Sequence, residues 1–225
     1  MTRFAVATTA EAMQDVSSAV DFILERRATS KLDLVGWSWG TTIVAGYAAE
    51  KPARVNKLVL YAPVWTFKMT GAPPATASSA YRSVAKEAAR QRQLRGIPEN
   101  RKEEISPAAW FEKWWSANPA TDAVGAAQSP PVLRAPNGVM RDLFLEHWAV
   151  GKPTYDPAAI KVPTLVIVAE WDHDTPLSMA QELFAKLVNT PLKRQVVLGE
   201  GTHTICPEKN RMHLIRQVQS FLEEG

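Results

Sequence analysis

The pentapeptide Gly36-Trp-Ser-Trp-Gly40 separates two stretches with different hydrophobic patterns. The residues before it, Leu32-Asp-Leu-Val-Gly36, predict a short buried strand, and the residues from about Trp39 to Glu50 predict a helix. A G-x-S-x-G pattern at such a junction is typical of a sharp strand-to-helix turn that exposes the serine hydroxyl. We expect glycine at both flanking positions to let strand and helix approach closely, which holds the Ser38 Oγ clear of the sheet.

The alternation of strands and helices continues on both sides of this turn. Thr8 and Glu11 fit a capping box at the start of an amphipathic helix. The predicted elements are helices at about 8–27, 176–188 and 208–222 and strands at 58–62, 164–169 and 195–198. Strands that alternate with helices in this way predict an α/β fold, with a mostly parallel sheet covered by helices on both faces.

A long segment, residues 64–155, interrupts the alternation. Its opening, Gly71–Ser79, is rich in Pro, Ala and Ser, and helix-like patterns follow near 81–93, 107–116 and 140–150. We predict that this segment is a helical cap. It is inserted over one end of a core made of residues 1–63 and 156–225.

The composition excludes several classes of protein. The chain has 225 residues, of which 46% are hydrophobic and 22% charged, as in one globular domain with an insertion. Its 26 basic and 23 acidic residues give a formal net charge of +3, too even a balance to indicate a nucleic acid or a membrane as a partner. The basic segment Lys86–Lys102 contains no aromatic residue that could stack on bases, and we interpret it as a solvated helix face.

The cellular location is predicted from what the chain lacks. Cys206 is the one cysteine, so no intrachain disulfide can form. The first ten residues lack the apolar stretch of a signal peptide, and no apolar run reaches the length of a membrane span. We therefore expect a cytoplasmic protein.

A reactive serine needs a base within hydrogen-bond reach and a carboxylate that orients this base. Among the four histidines, His203 lies in a short loop, Gly199–His203, between the last predicted strand and the last predicted helix. Open parallel sheets place their ligands at this carboxyl end of the strands. We interpret His147 and His213 as packing or surface residues, whereas His173 lies between two aspartates.

The carboxylate is expected in the turn Glu170–Pro176, which follows the strand at 164–169. Thr175-Pro176 fits a helix N-cap followed by proline at the first helical position, which leaves Asp174 beside a helix N-terminus. Asp172 is then free to project towards His203, and we prefer it over the two other acids of the turn, Asp174 and Glu170. Neighbouring acidic and histidine side chains diverge from an extended turn, so we predict no metal site here.

The chain order Ser38, Asp172, His203 resembles that of the α/β-hydrolase superfamily. The strand before Pro63 is similar to the strand that follows the elbow in that family, and the insertion lies where the family places its cap. The resemblance covers nearly the whole chain. It implies acyl transfer to water, in which Ser38 attacks a carbonyl, His203 transfers the proton and Asp172 orients the imidazole. It implies no cofactor.

The resemblance leaves the substrate class open. A serine in place of a nucleophilic aspartate speaks against haloalkane dehalogenase and epoxide hydrolase chemistry, which needs a carboxylate. Ester, amide, aminopeptide and carbon–carbon bond hydrolysis remain, and we expect a carboxylic ester hydrolase. The alternative from another class is a weakly active or non-catalytic remnant that acts as a binding module.

Several of the eight tryptophans lie near the predicted site. Trp37 and Trp39 flank Ser38, Trp171 precedes Asp172, and Trp65 begins the insertion. We predict that these four line an apolar pocket for the acyl or alcohol part of a small-molecule ester. Packing inside the cap is the better explanation for three others at helical spacing, Trp110, Trp114 and Trp115.

The region before Ser38 departs from the family pattern. In the family, several strands precede the elbow, and a loop marked by His-Gly supplies one of two backbone donors of the oxyanion hole. Here residues 1–35 contain neither glycine nor proline, and one helix and one strand account for them. The sequence identifies one donor, the N–H of Trp39. We expect an N-terminally incomplete hydrolase, in which Leu32–Gly36 is an edge strand and allows self-association.

Overall fold

The computed structural model describes residues 5–66, 79–147 and 149–224. Its strands are β1 (Leu32–Trp37), β2 (Val55–Tyr61), β3 (Tyr81–Val84), β4 (Leu133–Pro136), β5 (Thr164–Ala169) and β6 (Lys193–Leu198). Its α-helices are α1 (Thr9–Arg27), α2 (Trp39–Glu50), α3 (Lys86–Leu94), α4 (Lys102–Ile105), α5 (Ala108–Ala117), α6 (Ala123–Ala126), α7 (Gly138–Arg141), α8 (Leu177–Lys186) and α9 (Arg211–Glu223). Within these ranges, no helix combines the length and the apolarity that crossing a membrane requires.

Four strands form one parallel sheet in the order β1-β2-β5-β6. Trp37 is in register with Tyr61, and Tyr61 with Ile167, so the strands end at a common edge. β5 is buried along its whole length, because it has a strand on each side and helices on both faces. The predicted α/β fold with a mostly parallel sheet is confirmed, and the predicted bounds of α2 and β5 match the observed ones.

The sheet separates two hydrophobic cores, because successive side chains of a strand point to opposite faces. Leu58 and Leu60 of β2 pack in one core with buried residues of α1, α2 and α8, among them Val20, Val44 and Leu183. Val59 and Tyr61 pack in the other core with Leu214 and Phe221 of α9. Helices therefore cover both faces, as the sequence pattern predicted.

β1 is the edge strand of this sheet within the described part of the chain. Leu32 and Leu34 face the core beneath α1 and α2, but Val35 and Trp37 on the opposite face are 52% and 43% exposed. An edge strand of this kind presents unpaired backbone groups to other strands. Self-association through this edge stays a prediction.

The insertion contains a feature that the sequence analysis missed. β3 and β4 form an antiparallel ribbon, in which Tyr81 pairs with Pro136 and Val84 with Leu133. The helix predicted for residues 81–93 is therefore wrong over its first four residues, and α3 begins at Lys86. The Arg134 guanidinium lies 5.0 Å from the centre of the Tyr81 ring, a cross-strand contact that stabilises the ribbon.

The other predicted elements of the insertion are partly reproduced. α5 matches the helix predicted for residues 107–116. The helix predicted for 140–150 is shorter, since α7 is followed by one π-helical turn at Asp142–Glu146. The Pro/Ala/Ser-rich opening, Gly71–Ser79, lies outside the described residues except for Ser79. The division of the chain into core and cap at residues 64 and 155 stays a prediction.

The basic segment Lys86–Lys102 lies largely at the surface, in agreement with its interpretation as a solvated face, and several of its side chains also form ion pairs with other parts of the molecule. Arg92 and Arg95 form ion pairs with Asp174 of the turn after β5. Arg101 pairs with Glu200 of the loop after β6. Contacts within the insertion include Lys86 with Glu112, Lys102 with Glu99, Arg101 with Glu104, and Arg90 with the hydroxyl and carbonyl of Ser106. The pairs with Asp174 and Glu200 attach the insertion to the two loops that carry the predicted acid and the predicted base.

Candidate active site

Ser38 occupies the turn between β1 and α2 in a strained backbone conformation. Its φ is 54° and its ψ is −124°, a combination that residues with a Cβ rarely adopt. The Ser38 N–H donates to the carbonyl of Tyr61 at 3.0 Å, and the Ser38 carbonyl accepts from the Thr41 N–H at 2.9 Å. These bonds hold the residue at the carboxyl edge of the sheet, as a strand-to-helix elbow requires.

The two glycines of the pentapeptide differ in their steric role. A Cβ on Gly36 would lie 2.6 Å from Val44 Cγ2 and 2.7 Å from the Gly40 carbonyl oxygen, so strand and helix can approach here only without a side chain. Apart from its chain neighbours and the backbone of its own helix, a Cβ on Gly40 would meet no described atom within 4 Å. The prediction that both positions require glycine for close approach is therefore wrong for Gly40.

This difference predicts opposite effects on stability. Gly36→Ala should lower the free energy of unfolding by about 1–3 kcal/mol, the usual cost of forcing extra atoms into a packed site. Gly40→Ala should raise it by about 0.5–1 kcal/mol, because alanine is preferred over glycine within a helix. Urea unfolding of the two variants and the parent chain measures both changes. Equal destabilisation by the two substitutions would contradict the assignment.

His203 lies in the loop after β6 and contacts the serine directly. The distance between His203 Nε2 and Ser38 Oγ is 2.8 Å, within hydrogen-bond range. The residue is 5% exposed. Of the three other histidines, His173 and His213 are exposed. His147 Nδ1 is buried and has no hydrogen-bond partner among the described residues.

Asp172 faces the other nitrogen of the same ring. Its Oδ2 lies 2.9 Å from His203 Nδ1. Because a carboxylate can only accept, Nδ1 carries the proton and Nε2 is left free to accept from the serine hydroxyl. Asp172 Oδ1 also accepts from the backbone N–H groups of Asp174 and Thr175, at 2.9 and 2.8 Å. The carboxylate is therefore fixed on both oxygens.

Thr175 takes a position that the sequence analysis did not predict. α8 begins at Leu177 with Pro176 as its N-cap, so the expected Thr175 cap is wrong. The Thr175 hydroxyl is buried and donates to Asp172 Oδ2 at 2.8 Å. The threonine three residues after the aspartate was the available signal, since such spacing permits a local side-chain bond.

Asp174 forms no hydrogen bond with the ring nitrogens of His203, and its carboxylate faces the insertion. It accepts two bonds from Arg92 at 2.8 and 2.9 Å and one from Arg95 at 2.7 Å. Its partial burial works to raise its pKa, but Arg92, with His203 and Arg95, outweighs burial and holds the pKa below the usual value. Asp174 lies two residues before Pro176, the N-cap of α8, and it also forms these ion pairs with the insertion. Glu170, the third acid of the turn, accepts from the Glu200 N–H.

The predicted oxyanion donor, the backbone N–H of Trp39, belongs to the first residue of α2, next to Ser38. N–H groups at a helix N-terminus are suited to bind negative charge. The Trp39 indole is held in place by the Thr9 hydroxyl at 2.9 Å, and the Thr9 N–H donates to the buried Asp142 at 2.6 Å. The start of α1 and the insertion thus meet beside this helix N-terminus.

The four tryptophans predicted to bind substrate have different surroundings. Trp37 donates from Nε1 to the His203 carbonyl at 2.9 Å. Trp65 is buried in the core under α2 and α8, with Lys186 5.7 Å from its ring centre. The Trp171 carbonyl packs against Gly96 of the insertion, and the Trp171 N–H donates to Gly201. Their part in substrate binding, with that of Trp39, stays a prediction.

The arrangement brings Ser38, His203 and Asp172 into one connected series of hydrogen bonds. Such a series can remove the proton from a hydroxyl as that hydroxyl attacks an electrophile. The described residues contain no group of three or more His, Cys, Asp and Glu side chains that could hold a metal ion.

Solved structures of hydrolases share this fold. A monoacylglycerol lipase of Paleococcus ferrophilus superposes with a TM-score of 0.64 at 17% identity, covering 97% of this chain and 76% of the lipase. An esterase of Thermogutta terrifontis gives 0.58 at 19%, covering 97% and 73%. A meta-cleavage product hydrolase of Pseudomonas fluorescens IP01 gives 0.62 at 15%, covering 96% and 72%. At such identities the likeness establishes the fold alone.

Sequence comparison gives the family. No curated protein sequence matches the chain. The model of the family described as serine aminopeptidase, S33, matches residues 2–210. The chain therefore belongs to the serine aminopeptidase S33 family and is an α/β-hydrolase.

Proposed function

We propose that the protein is a serine hydrolase that cleaves carboxylic esters, with Ser38 as nucleophile, His203 as base and Asp172 as the orienting acid. The observation that carries the proposal is the pair of contacts of one imidazole. His203 Nε2 lies 2.8 Å from Ser38 Oγ, and His203 Nδ1 lies 2.9 Å from Asp172 Oδ2. A binding module needs neither this alignment nor a strained serine at a sheet edge.

The reaction follows from these contacts. Ser38 Oγ attacks the ester carbonyl carbon while its proton passes to His203 Nε2, and Asp172 stabilises the imidazolium that forms. The Trp39 N–H donates to the oxygen that becomes negative. The imidazolium then returns the proton to the departing alcohol, which leaves an acyl group on Ser38. Water, deprotonated by His203, hydrolyses this acyl-enzyme and restores the serine.

Esters are preferred over amides because of the leaving group. An amine must be protonated as it departs, whereas an alkoxide leaves more readily, so an ester places the smaller demand on His203 as general acid. The fold is shared with proteins named as a lipase and as an esterase. Indole side chains near the site, Trp37 and Trp39, suit a small substrate with an apolar acyl or alcohol part.

The substrate class is tested with matched substrates. Four substrates should be compared by kcat/KM. They are a p-nitrophenyl ester, the corresponding p-nitroanilide, an aminoacyl p-nitroanilide with a free amino group, and a vinylogous 1,5-diketone acid. We expect the ester to exceed the anilides by about 10²-fold or more, the scale on which general acid catalysis contributes. The highest kcat/KM for the aminoacyl anilide would make the protein an aminopeptidase, and for the diketone acid a carbon–carbon bond hydrolase.

A further inference from the structure

The backbone on both sides of the histidine is bound by aromatic side chains of the sheet. The Tyr61 hydroxyl donates to the Thr202 carbonyl at 2.7 Å. The Trp37 indole N–H donates to the His203 carbonyl at 2.9 Å. The peptide carbonyl before His203 and the one after it are therefore each held by a side chain from another part of the chain.

Tyr61 and Trp37 are also the residues that position the nucleophile. They are register partners at the ends of β2 and β1, and Trp37 directly precedes Ser38. The Ser38 N–H donates to the Tyr61 carbonyl at 3.0 Å. The neighbouring ends of β1 and β2 therefore contact both parts of the site. Their backbone binds Ser38, and their Trp37 and Tyr61 side chains bind the loop that carries His203.

Other polar groups of this loop bond to Glu170, Trp171 and Asn210, and those of Thr202 bond to the residue at position 208. The Thr202 N–H and hydroxyl both donate to the Glu208 carboxylate, which is fully buried. The Thr204 N–H donates to the Thr202 hydroxyl oxygen at 3.1 Å. Burial raises the pKa of the Glu208 carboxyl. With these bonds in place, the Thr202 and His203 carbonyls depend on Tyr61 and Trp37.

We propose that Tyr61 and Trp37 are positioning residues, which fix the His203 backbone relative to Ser38 and so set the distance over which the serine proton is transferred. This inference rests on the proposed function. Neither side chain is assigned to the reacting atoms; each acts through the histidine loop. Because the same sheet edge carries Ser38 and the two side chains bonded to the His203 loop, it fixes the position of the base relative to the nucleophile.

The expected consequence is catalytic. Without the Tyr61 hydroxyl, the Thr202 carbonyl loses a buried partner and the loop relaxes to find another. A displacement of about 1 Å at a catalytic group can cost about 10²-fold in rate. We expect Tyr61→Phe to lower kcat about 10- to 100-fold and to leave KM unchanged, since substrate binding does not use this hydroxyl.

The chain provides a matched control for Tyr61→Phe. Tyr47 of α2 and Tyr61 are both 1% exposed. The Tyr47 hydroxyl is buried without a hydrogen-bond partner among the described residues. Tyr47→Phe therefore removes the same atom from a comparable environment without freeing a carbonyl, and kcat should stay at the parent value.

A double-mutant cycle separates positioning of His203 from a general effect on the fold. Tyr61→Phe should lower kcat in the parent chain but cause no further decrease in the residual ester hydrolysis of His203→Ala. The same pattern in kcat is expected for Trp37→Phe, which keeps the proposal testable if one variant does not fold; its KM is not compared, because Trp37 also belongs to the predicted substrate pocket. An equal decrease in both backgrounds would show a merely structural role and would overturn the proposal.

The two proposals fail in different ways. If His203→Ala hydrolyses the ester as fast as the parent chain, the proposed function fails, and the positioning role fails with it. If His203→Ala is inactive while Tyr61→Phe and Trp37→Phe keep the parent kcat, only the positioning role is overturned.

Discussion

Replacing Ser38 by alanine is expected to abolish ester hydrolysis and covalent labelling by a fluorophosphonate probe. The probe reacts with an activated serine, and His203 Nε2 lies within hydrogen-bond distance of the Ser38 Oγ. Loss of one member of a serine–histidine–aspartate triad removes the action of the others, so kcat should fall by several powers of ten. Alanine has the same Cβ, so the backbone strain at φ 54° is unchanged by the substitution.

Mass spectrometry of the labelled parent chain should place the probe on Ser38. Ser178 offers a control, since it is an exposed serine in α8 whose hydroxyl forms no hydrogen bond with a histidine among the described residues. Ser178→Ala should be labelled like the parent chain. Labelling that survives in Ser38→Ala would exclude Ser38 as the nucleophile.

The parts of the site that could be predicted from sequence are those encoded by local patterns. The Gly36–Gly40 elbow combines a motif with a strand before it and a helix after it, and each is visible within a few residues. The capping box of α1 is also local, and the structure confirms it, because the Thr8 side chain accepts from the Glu11 N–H and the Glu11 carboxylate from the Thr8 N–H. Parallel strands end at one edge, which brings the loops carrying Asp172 and His203 together.

The parts that were missed depend on residues far apart in the chain. β3 and β4 have four residues each, too few for a period of two to be recognised, and their pairing joins Tyr81 to Pro136. Arg92 and Arg95 are half-exposed, as expected of a solvated face, but their ion pairs with Asp174 were not predicted, because Asp174 follows about eighty residues later. Composition cannot show such pairing, since the same residues fit a solvated face.

The contacts of Thr175 were missed for a different reason. Thr-Pro before a helical pattern fits an N-cap, and this local preference is sound in general. In the structure the Thr175 hydroxyl is instead within reach of a buried carboxylate, and it donates to Asp172 Oδ2. A buried acceptor without enough donors costs more than an unfilled helix cap, so the bond to Asp172 prevails.

Asp172→Asn should lower kcat by about 10⁴-fold, and the hydrogen bonds around the side chain give the reason. Oδ1 accepts from the N–H groups of Asp174 and Thr175, so an asparagine must place its oxygen there. Its NH₂ group then takes the place of Oδ2, which lies 2.9 Å from His203 Nδ1. A donor at that place forces Nδ1 to accept and puts the ring proton on Nε2.

A histidine protonated on Nε2 cannot accept the proton of Ser38, so the substitution disables the base while preserving the shape of the site. Asp174→Asn serves as the matched variant, two residues away in the same turn. It breaks the ion pairs with Arg92 and Arg95, and it should cost about 1 kcal/mol of stability or less with little change in kcat. The measurement is kcat of both variants on one ester, after circular dichroism shows both to be folded. If Asp174→Asn is the slower enzyme, the role of the orienting acid belongs to Asp174, and the 2.9 Å contact of Asp172 with His203 has no part in catalysis.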